Sequence, residues 1–161
     1  MNNNFELKII KDLQKIINNN NIILKIFIFL LYIFNIYSFI TIIIILYYNN
    51  IINFNNILLI IYSQFIIYIL KNIIKRKHPY YYKNIIKITS EMDIVDKYSF
   101  PSSYTINAFL LSNIIFKNTN INYDYISLLI GLTQIYSGSN YPSDILLSII
   151  ISKILFNIFY I

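Results

Sequence analysis

Three short polar stretches, each containing a proline, interrupt an otherwise apolar sequence and carry the side chains that could do chemistry. The first ends at His78-Pro79, the second begins at Pro101-Ser102, and the third includes Asn140. Each lies at the mouth of an apolar segment, so together they would form one polar site if they share a membrane face. With one histidine and no cysteine, the chain offers no metal-ligand cluster. One imidazole also cannot be both nucleophile and general acid. We therefore expect no metal and no cofactor.

The stretch around Gly138 and Pro142 predicts a tight break between two apolar helices. The first helix should end near Gly138, and the second should begin at Tyr141-Pro142, because proline is favoured in a first helical turn. Asp144 then lies in that same turn, where a negative charge suits the helix N-terminus. A plain helical hairpin with ordinary caps would also explain these residues, so the other two prolines decide the interpretation.

The three stretches resemble the signature motifs of the type 2 phosphatidic acid phosphatase / haloperoxidase family, in its membrane lipid phosphate phosphatase branch. That family's motifs read K-x6-R-P, then P-S-G-H, then S-R-x5-H-x3-D. Their order and internal spacings agree with this chain over roughly residues 58–161. The corresponding residues here are Lys71-x6-His78-Pro79, then Pro101-Ser102-Ser103-Tyr104, then Thr133-Gln134-x5-Asn140-x3-Asp144.

The departures from the family pattern fall on the reacting groups. The attacking histidine is replaced by Asn140, whose amide nitrogen has a delocalised lone pair and is not a nucleophile. The general acid is replaced by Tyr104, and a phenol with an ordinary pKa of about 10 suits that role poorly. Asp144, which in the family orients the attacking histidine, is retained. The resemblance thus implies catalytic positions at Asn140, Tyr104 and Asp144, the first two substituted. It implies phosphate-binding positions at Lys71, His78, Ser102, Ser103 and Gln134.

Composition indicates a membrane protein. The chain is 57% hydrophobic and 12% charged, and residues 26–70 contain no Asp, Glu, Lys, Arg or His. A soluble domain of 161 residues could not bury so much apolar surface. We predict an all-α polytopic membrane helical bundle with five or six spanning helices, resembling the family's fold. Its parts are an amphipathic helix over residues 1–21 and a membrane domain over residues 22–161. The five predicted spans are residues 22–48, 57–74, 102–117, 121–137 and 141–161.

Two segments outside the spans carry most of the charge. Residues 1–21 place apolar and charged side chains on opposite faces of a helix, which predicts an amphipathic helix on the bilayer surface. Residues 75–100 hold a basic cluster, and a short interfacial helix is predicted over residues 80–88. The basic cluster has two compatible explanations: it fixes topology, with this face in the cytosol, and it attracts anionic lipid headgroups. A segment held at the membrane argues against nucleic acid as a partner.

Three functions remain open. The first is a non-catalytic relative of lipid phosphate or polyprenyl (dolichyl) pyrophosphate phosphatases that binds a phosphorylated lipid headgroup or acts as a scaffold. The second is a divergent but active phosphatase that recruits His78 or Ser102. The third is an unrelated multi-span structural or transport protein. The expected partners are membrane lipids, with a homo- or hetero-oligomer open, and the expected location is the endoplasmic reticulum or another endomembrane.

Overall fold

Long apolar runs separated by asparagine-rich, glycine and proline breaks produce a chain of helices. The structure is a computed structural model that describes residues 3–33, 36–82, 85–88 and 97–160. Within those ranges all regular secondary structure is helical, with one 3-10 turn at Pro79–Tyr81. The helices are α1 Asn3–Asn18, α2 Asn21–Ile33, α3 Ile36–Tyr48, α4 Phe54–Ile74, α5 Ser103–Thr119, α6 Asp124–Tyr136 and α7 Pro142–Phe159.

Helices α4 to α7 form an up-and-down bundle whose two ends are marked by polar contacts. Arg76, just after α4, donates to the Ser143 hydroxyl at the start of α7 over 2.8 Å. We call this end, formed by residues 71–82, 97–104 and 134–144, the site end. At the opposite end, Asn118 donates to the Ile51 carbonyl over 2.8 Å, linking the end of α5 to the start of α4.

Small and polar side chains let α5, α6 and α7 approach closely. A Cβ on Gly131 of α6 would lie 2.8 Å from Ile145 Cγ2 of α7, so only glycine fits without a shift. Ser148 and Ser152 of α7 are fully buried. Between α4 and α5, Gln64 donates to the Asn107 side-chain carbonyl over 2.6 Å. Such close packing and hydrogen bonds hold the helices of the bundle together.

The predicted first span, residues 22–48, is described as two helices, α2 and α3. Residues 34–35, between the two helices, lie outside the described part of the chain. Phe27 of α2 packs edge-on against Tyr136 at the site end, with ring centroids 5.1 Å apart. Phe39 and Leu46 of α3 pack against the buried cluster at the opposite end. The two helices together therefore run the length of the bundle.

The number of membrane-spanning helices is not settled by helix length. In the described residues, two segments are long and apolar enough to cross a membrane, Phe54–Tyr81 and Pro142–Phe159. Helix α6 has 13 residues and rises about 20 Å, less than the hydrocarbon core of about 30 Å. Five or six spans therefore remain a prediction.

The predicted helix over residues 80–88 is wrong for the residues that the structure describes. Only a 3-10 turn forms at Pro79–Tyr81, and residues 85–88 are not helical. The physical reason is that the backbone N–H groups bond to the turn between α6 and α7. Tyr80 donates to the Gly138 carbonyl, and Ile88 donates to the Ser137 carbonyl, each over 3.1 Å.

Helix α1 packs against the bundle along one face. Ile10 and Ile17 are buried in two apolar clusters that also contain residues of α6 and α7. Gln14 is buried as well, and its amide donates to the carbonyls of Ile86 (2.7 Å) and Tyr136 (2.8 Å). Helix α1 therefore shares buried residues with the bundle. The division at residue 21 stays a prediction.

Candidate functional site

The three polar stretches meet at the site end. Lys71, in the last turn of α4, donates from Nζ to the Tyr98 carbonyl over 2.9 Å. His78 Nδ1 lies 2.6 Å from the Ser139 carbonyl, and since a carbonyl oxygen only accepts, Nδ1 carries the proton. These contacts join the first stretch to the segment before the second and to the third.

The backbone of Ser99 connects the first polar stretch to the third. Its N–H donates to the Arg76 carbonyl over 2.9 Å, and its carbonyl accepts a hydrogen bond from the Asn140 side-chain amide. Ser99 is fully buried, and Asn140 is nearly so. The amide at the position that the resemblance assigns to the nucleophile therefore donates to the backbone.

Ser102 lies immediately before the first residue of α5. Its hydroxyl caps the helix by accepting from the Thr105 N–H over 3.4 Å. Its own N–H donates to the Ser148 hydroxyl of α7 over 2.9 Å, which ties the second stretch to the helix that follows the third. Ser103 and Tyr104 are half-buried in the first turn of α5.

The turn between α6 and α7 places Gln134 next to Asn140. The Gln134 carbonyl accepts from the N–H groups of Ser139 (3.2 Å) and Asn140 (3.1 Å), so the turn closes on itself. Gly138 allows this because its φ of +73° lies in the left-handed region, which favours glycine. The Gln134 side chain is buried at the site end.

Arg76 is a central residue that the sequence interpretation assigned only to the basic cluster. Its Nη1 donates to the Asp144 carboxylate over 2.5 Å, and its Nη2 donates to the Glu6 carboxylate over 2.7 Å. Its guanidinium carbon lies 3.7 Å from the centroid of the Tyr141 ring. Arg76 is the only arginine among 13 basic residues. That could have singled it out, because arginine is preferred for planar, multidentate pairing with carboxylates.

Glu6 joins α1 to the start of α7. Its carboxylate accepts from the Ser143 N–H over 2.9 Å, in the first turn of α7, where a negative charge is favoured. Burial by itself would raise the pKa of the Glu6 carboxyl. The hydrogen bonds from Ser143 and the interaction with Arg76 outweigh burial, so this pKa lies below its ordinary value.

Asp144 is fully buried and already engaged. Besides Arg76, it accepts from the Tyr141 N–H over 3.0 Å, which closes the first turn of α7. By the resemblance, the corresponding carboxylate in the family orients the attacking histidine. Here the guanidinium of Arg76 is its charged partner.

The side chains at the site end differ in the chemistry that they could do. The amide of Asn140 is no nucleophile, and it is bonded to the Ser99 carbonyl. Lys71 and His78 are buried at the same end, and the Lys71 ammonium supplies the positive charge that an oxyanion site requires. Across the described part of the chain, no group of three or more His, Cys, Asp or Glu side chains could hold a metal ion.

These features define a helical protein with a polar site at one end of its bundle, where three separated stretches converge. The sequence model of the PAP2 superfamily matches residues 53–161, which is most of the chain. The chain therefore belongs to the PAP2 superfamily, and the resemblance seen in the three motifs is confirmed. No curated protein and no solved structure matched the chain. Family membership together with the two long apolar helices indicates association with a membrane.

Proposed function

We propose that this protein is a non-catalytic member of the PAP2 superfamily that binds a phosphorylated lipid headgroup at the site end. The proposal rests on the identity of Asn140 and on the hydrogen bond that its side chain makes. It stands where the family has its attacking histidine, and its amide donates to the Ser99 carbonyl. A chain without a nucleophile can still hold a phosphoryl group, because binding needs only donors and positive charge.

The proposed ligand-binding residues are Lys71, His78, Ser102, Ser103 and Gln134, at the family's phosphate-binding positions. Lys71 supplies the positive charge, and it is buried at the end of an apolar helix. A buried ammonium at the membrane boundary favours an anionic partner. Phosphatidic acid and polyprenyl phosphates have the required chemistry, which is a phosphomonoester on an apolar chain. A dolichyl-type phosphate and an endomembrane location belong to this proposal.

Binding and hydrolysis can be separated in lipid nanodiscs. Purified protein is incubated with phosphatidic acid, a polyprenyl phosphate or a polyprenyl diphosphate, and released phosphate is measured. We expect no release above that of empty nanodiscs. Release that disappears in Asn140→Ala would overturn the proposal.

Binding is measured on the same nanodiscs with fluorescent phosphatidic acid. We expect Lys71→Gln to weaken binding about tenfold, the loss expected when one charge-assisted hydrogen bond is removed. Lys153→Gln is the matched control, since Lys153 is exposed in the second half of α7. Unchanged affinity in folded Lys71→Gln would contradict the assigned site.

An active phosphatase is the second candidate, and the position of His78 favours it. Its imidazole bonds to the carbonyl of Ser139, the residue before Asn140, so it lies beside the position that the resemblance assigns to the nucleophile. Phosphate release that survives Asn140→Ala and disappears in His78→Ala would select this candidate. The third hypothesis, an unrelated multi-span protein, is contradicted as to kinship by the family match over residues 53–161, while a structural or transport role stays a prediction.

A further inference from the structure

The surface of α1 is divided into three faces. One face is buried against the bundle and contains Glu6, Ile10, Gln14 and Ile17. A second face, which we call the apolar ridge, exposes large hydrophobic side chains: Phe5 (66% exposed), Ile9 (38%) and Ile16 (64%). The third, which we call the lysine row, consists of the exposed residues Lys8, Lys11 and Lys15. At 3.6 residues per turn, the ridge and the row form neighbouring stripes along the helix.

The contacts of α1 show that it lies across the site end rather than along the bundle. Near its start, Glu6 bonds to the Ser143 N–H in the first turn of α7. Near its end, the Asn18 side chain accepts from the Tyr136 hydroxyl at the end of α6 over 2.9 Å. Both contacts are at the same end of the bundle, although the two α1 residues are about 18 Å apart along the helix.

That placement puts α1 at the level of the membrane boundary. Helix α7 is one of the two helices long and apolar enough to cross a membrane, and its first turn marks the boundary at the site end. The same end carries further exposed positive charge at Lys75, Lys77 and Lys87. Glu6 pairs with Arg76, and Asp12 is the exposed acid of α1. An exposed apolar stripe beside a row of lysines at this level is complementary to an anionic lipid surface.

We propose that α1 is an interfacial helix that inserts its apolar ridge among the acyl chains and pairs its lysine row with anionic headgroups. The buried face keeps the helix fixed to the bundle meanwhile. The occupant of the exposed surface is therefore the anionic leaflet of the membrane that α7 enters. This proposal concerns α1 alone and does not depend on phosphate binding at Lys71.

The chain contains no tryptophan, so a single tryptophan can report the environment of each face. Phe5→Trp reports from the ridge, and Asn4→Trp, an exposed neighbour on the lysine side of the helix, is the matched control. Each variant is placed in nanodiscs containing brominated phospholipids, with or without phosphatidylserine. We expect the Phe5→Trp fluorescence to be quenched at least about threefold more strongly than that of Asn4→Trp.

The contribution of charge is tested by combining Lys8→Gln, Lys11→Gln and Lys15→Gln with Phe5→Trp. We expect this variant to lose quenching in phosphatidylserine nanodiscs, while Lys117→Gln with Lys153→Gln leaves it unchanged. Equal quenching of Phe5→Trp and Asn4→Trp would overturn the membrane contact. If quenching changes neither with the phosphatidylserine content nor with the lysine substitutions, the proposal of an anionic lipid partner is overturned. A blue-shifted but unquenched Phe5→Trp signal that depends on protein concentration would identify a second copy as the occupant and overturn the proposal.

Discussion

Arg76 holds two carboxylates that are far apart in the sequence. It donates to Glu6, 70 residues before it, and to Asp144, 68 residues after it. Removing the guanidinium leaves the fully buried Asp144 without its charged partner, and losses of this kind cost about 3–5 kcal/mol. We therefore expect Arg76→Ala to lower the unfolding temperature strongly in detergent, whereas Lys77→Ala, at an exposed neighbour, changes it little.

The coupling of the pair can be measured directly. If the loss comes from the stranded carboxylate, Arg76→Ala combined with Asp144→Asn should be less destabilised than the sum of the two single variants. Additive losses would show that Arg76 stabilises the fold through other contacts, such as its position over the Tyr141 ring.

Glu6 gives the attachment of α1 a defined pH dependence. The pKa of its carboxyl is held below the ordinary value of 4.5, chiefly by Ser143 and Arg76 acting against burial. A depressed pKa means that the ionised form stabilises the folded state above pH 4.5 and that this contribution is lost as the pH falls through the lower folded value.

The measurement is the difference in unfolding temperature between the natural chain and Glu6→Gln, followed from pH 7 to pH 3. We expect the difference to stay constant down to about pH 4.5 and to shrink as the pH falls further towards the lower folded pKa. A difference that shrinks already between pH 7 and pH 6 would contradict the assigned ion pair.

At the scale of elements, the turn between α6 and α7 depends on one backbone conformation. Gly138 has φ +73°, and a Cβ there would lie 3.0 Å from the Ile86 carbonyl oxygen. We expect Gly138→Ala to cost at least about 1–2 kcal/mol in unfolding free energy. Asn120, also with positive φ at the end of α5, is the contrasting site. There Asn120→Gly should be neutral, and an equal loss at both positions would contradict this interpretation.

The same turn shows which elements the sequence predicts well. Pro142 and Asp144 place the start of α7 correctly, because both act through local backbone geometry and the helix N-terminus. The helix expected over residues 80–88 is absent from the described residues of that stretch. Backbone N–H groups there bond instead to Ser137 and Gly138, 49 and 58 residues away in the chain. A local sequence pattern cannot show that distant carbonyl groups compete with helix formation for these N–H groups.

At the scale of the whole molecule, the order and spacing of the three motifs predicted correctly that they would meet. His78 contacts Ser139, and Asn140 contacts Ser99, as a shared site requires. The contribution of α1 could not be predicted, since the bond from Ser143 to Glu6 joins residues 137 positions apart. The amphipathic pattern of α1 indicates a buried face but does not say which surface covers it.

The way α1 is embedded has a practical consequence for anyone producing this protein. A fragment trimmed to the family-matched residues 53–161 would lack Ile10 and Ile17, which cover Tyr141 and Tyr136, and would lose one of the two carboxylates on Arg76. A fragment whose boundaries follow the family match alone would therefore lack part of the hydrophobic core. Truncated variants should keep the residues from Asn3 onward.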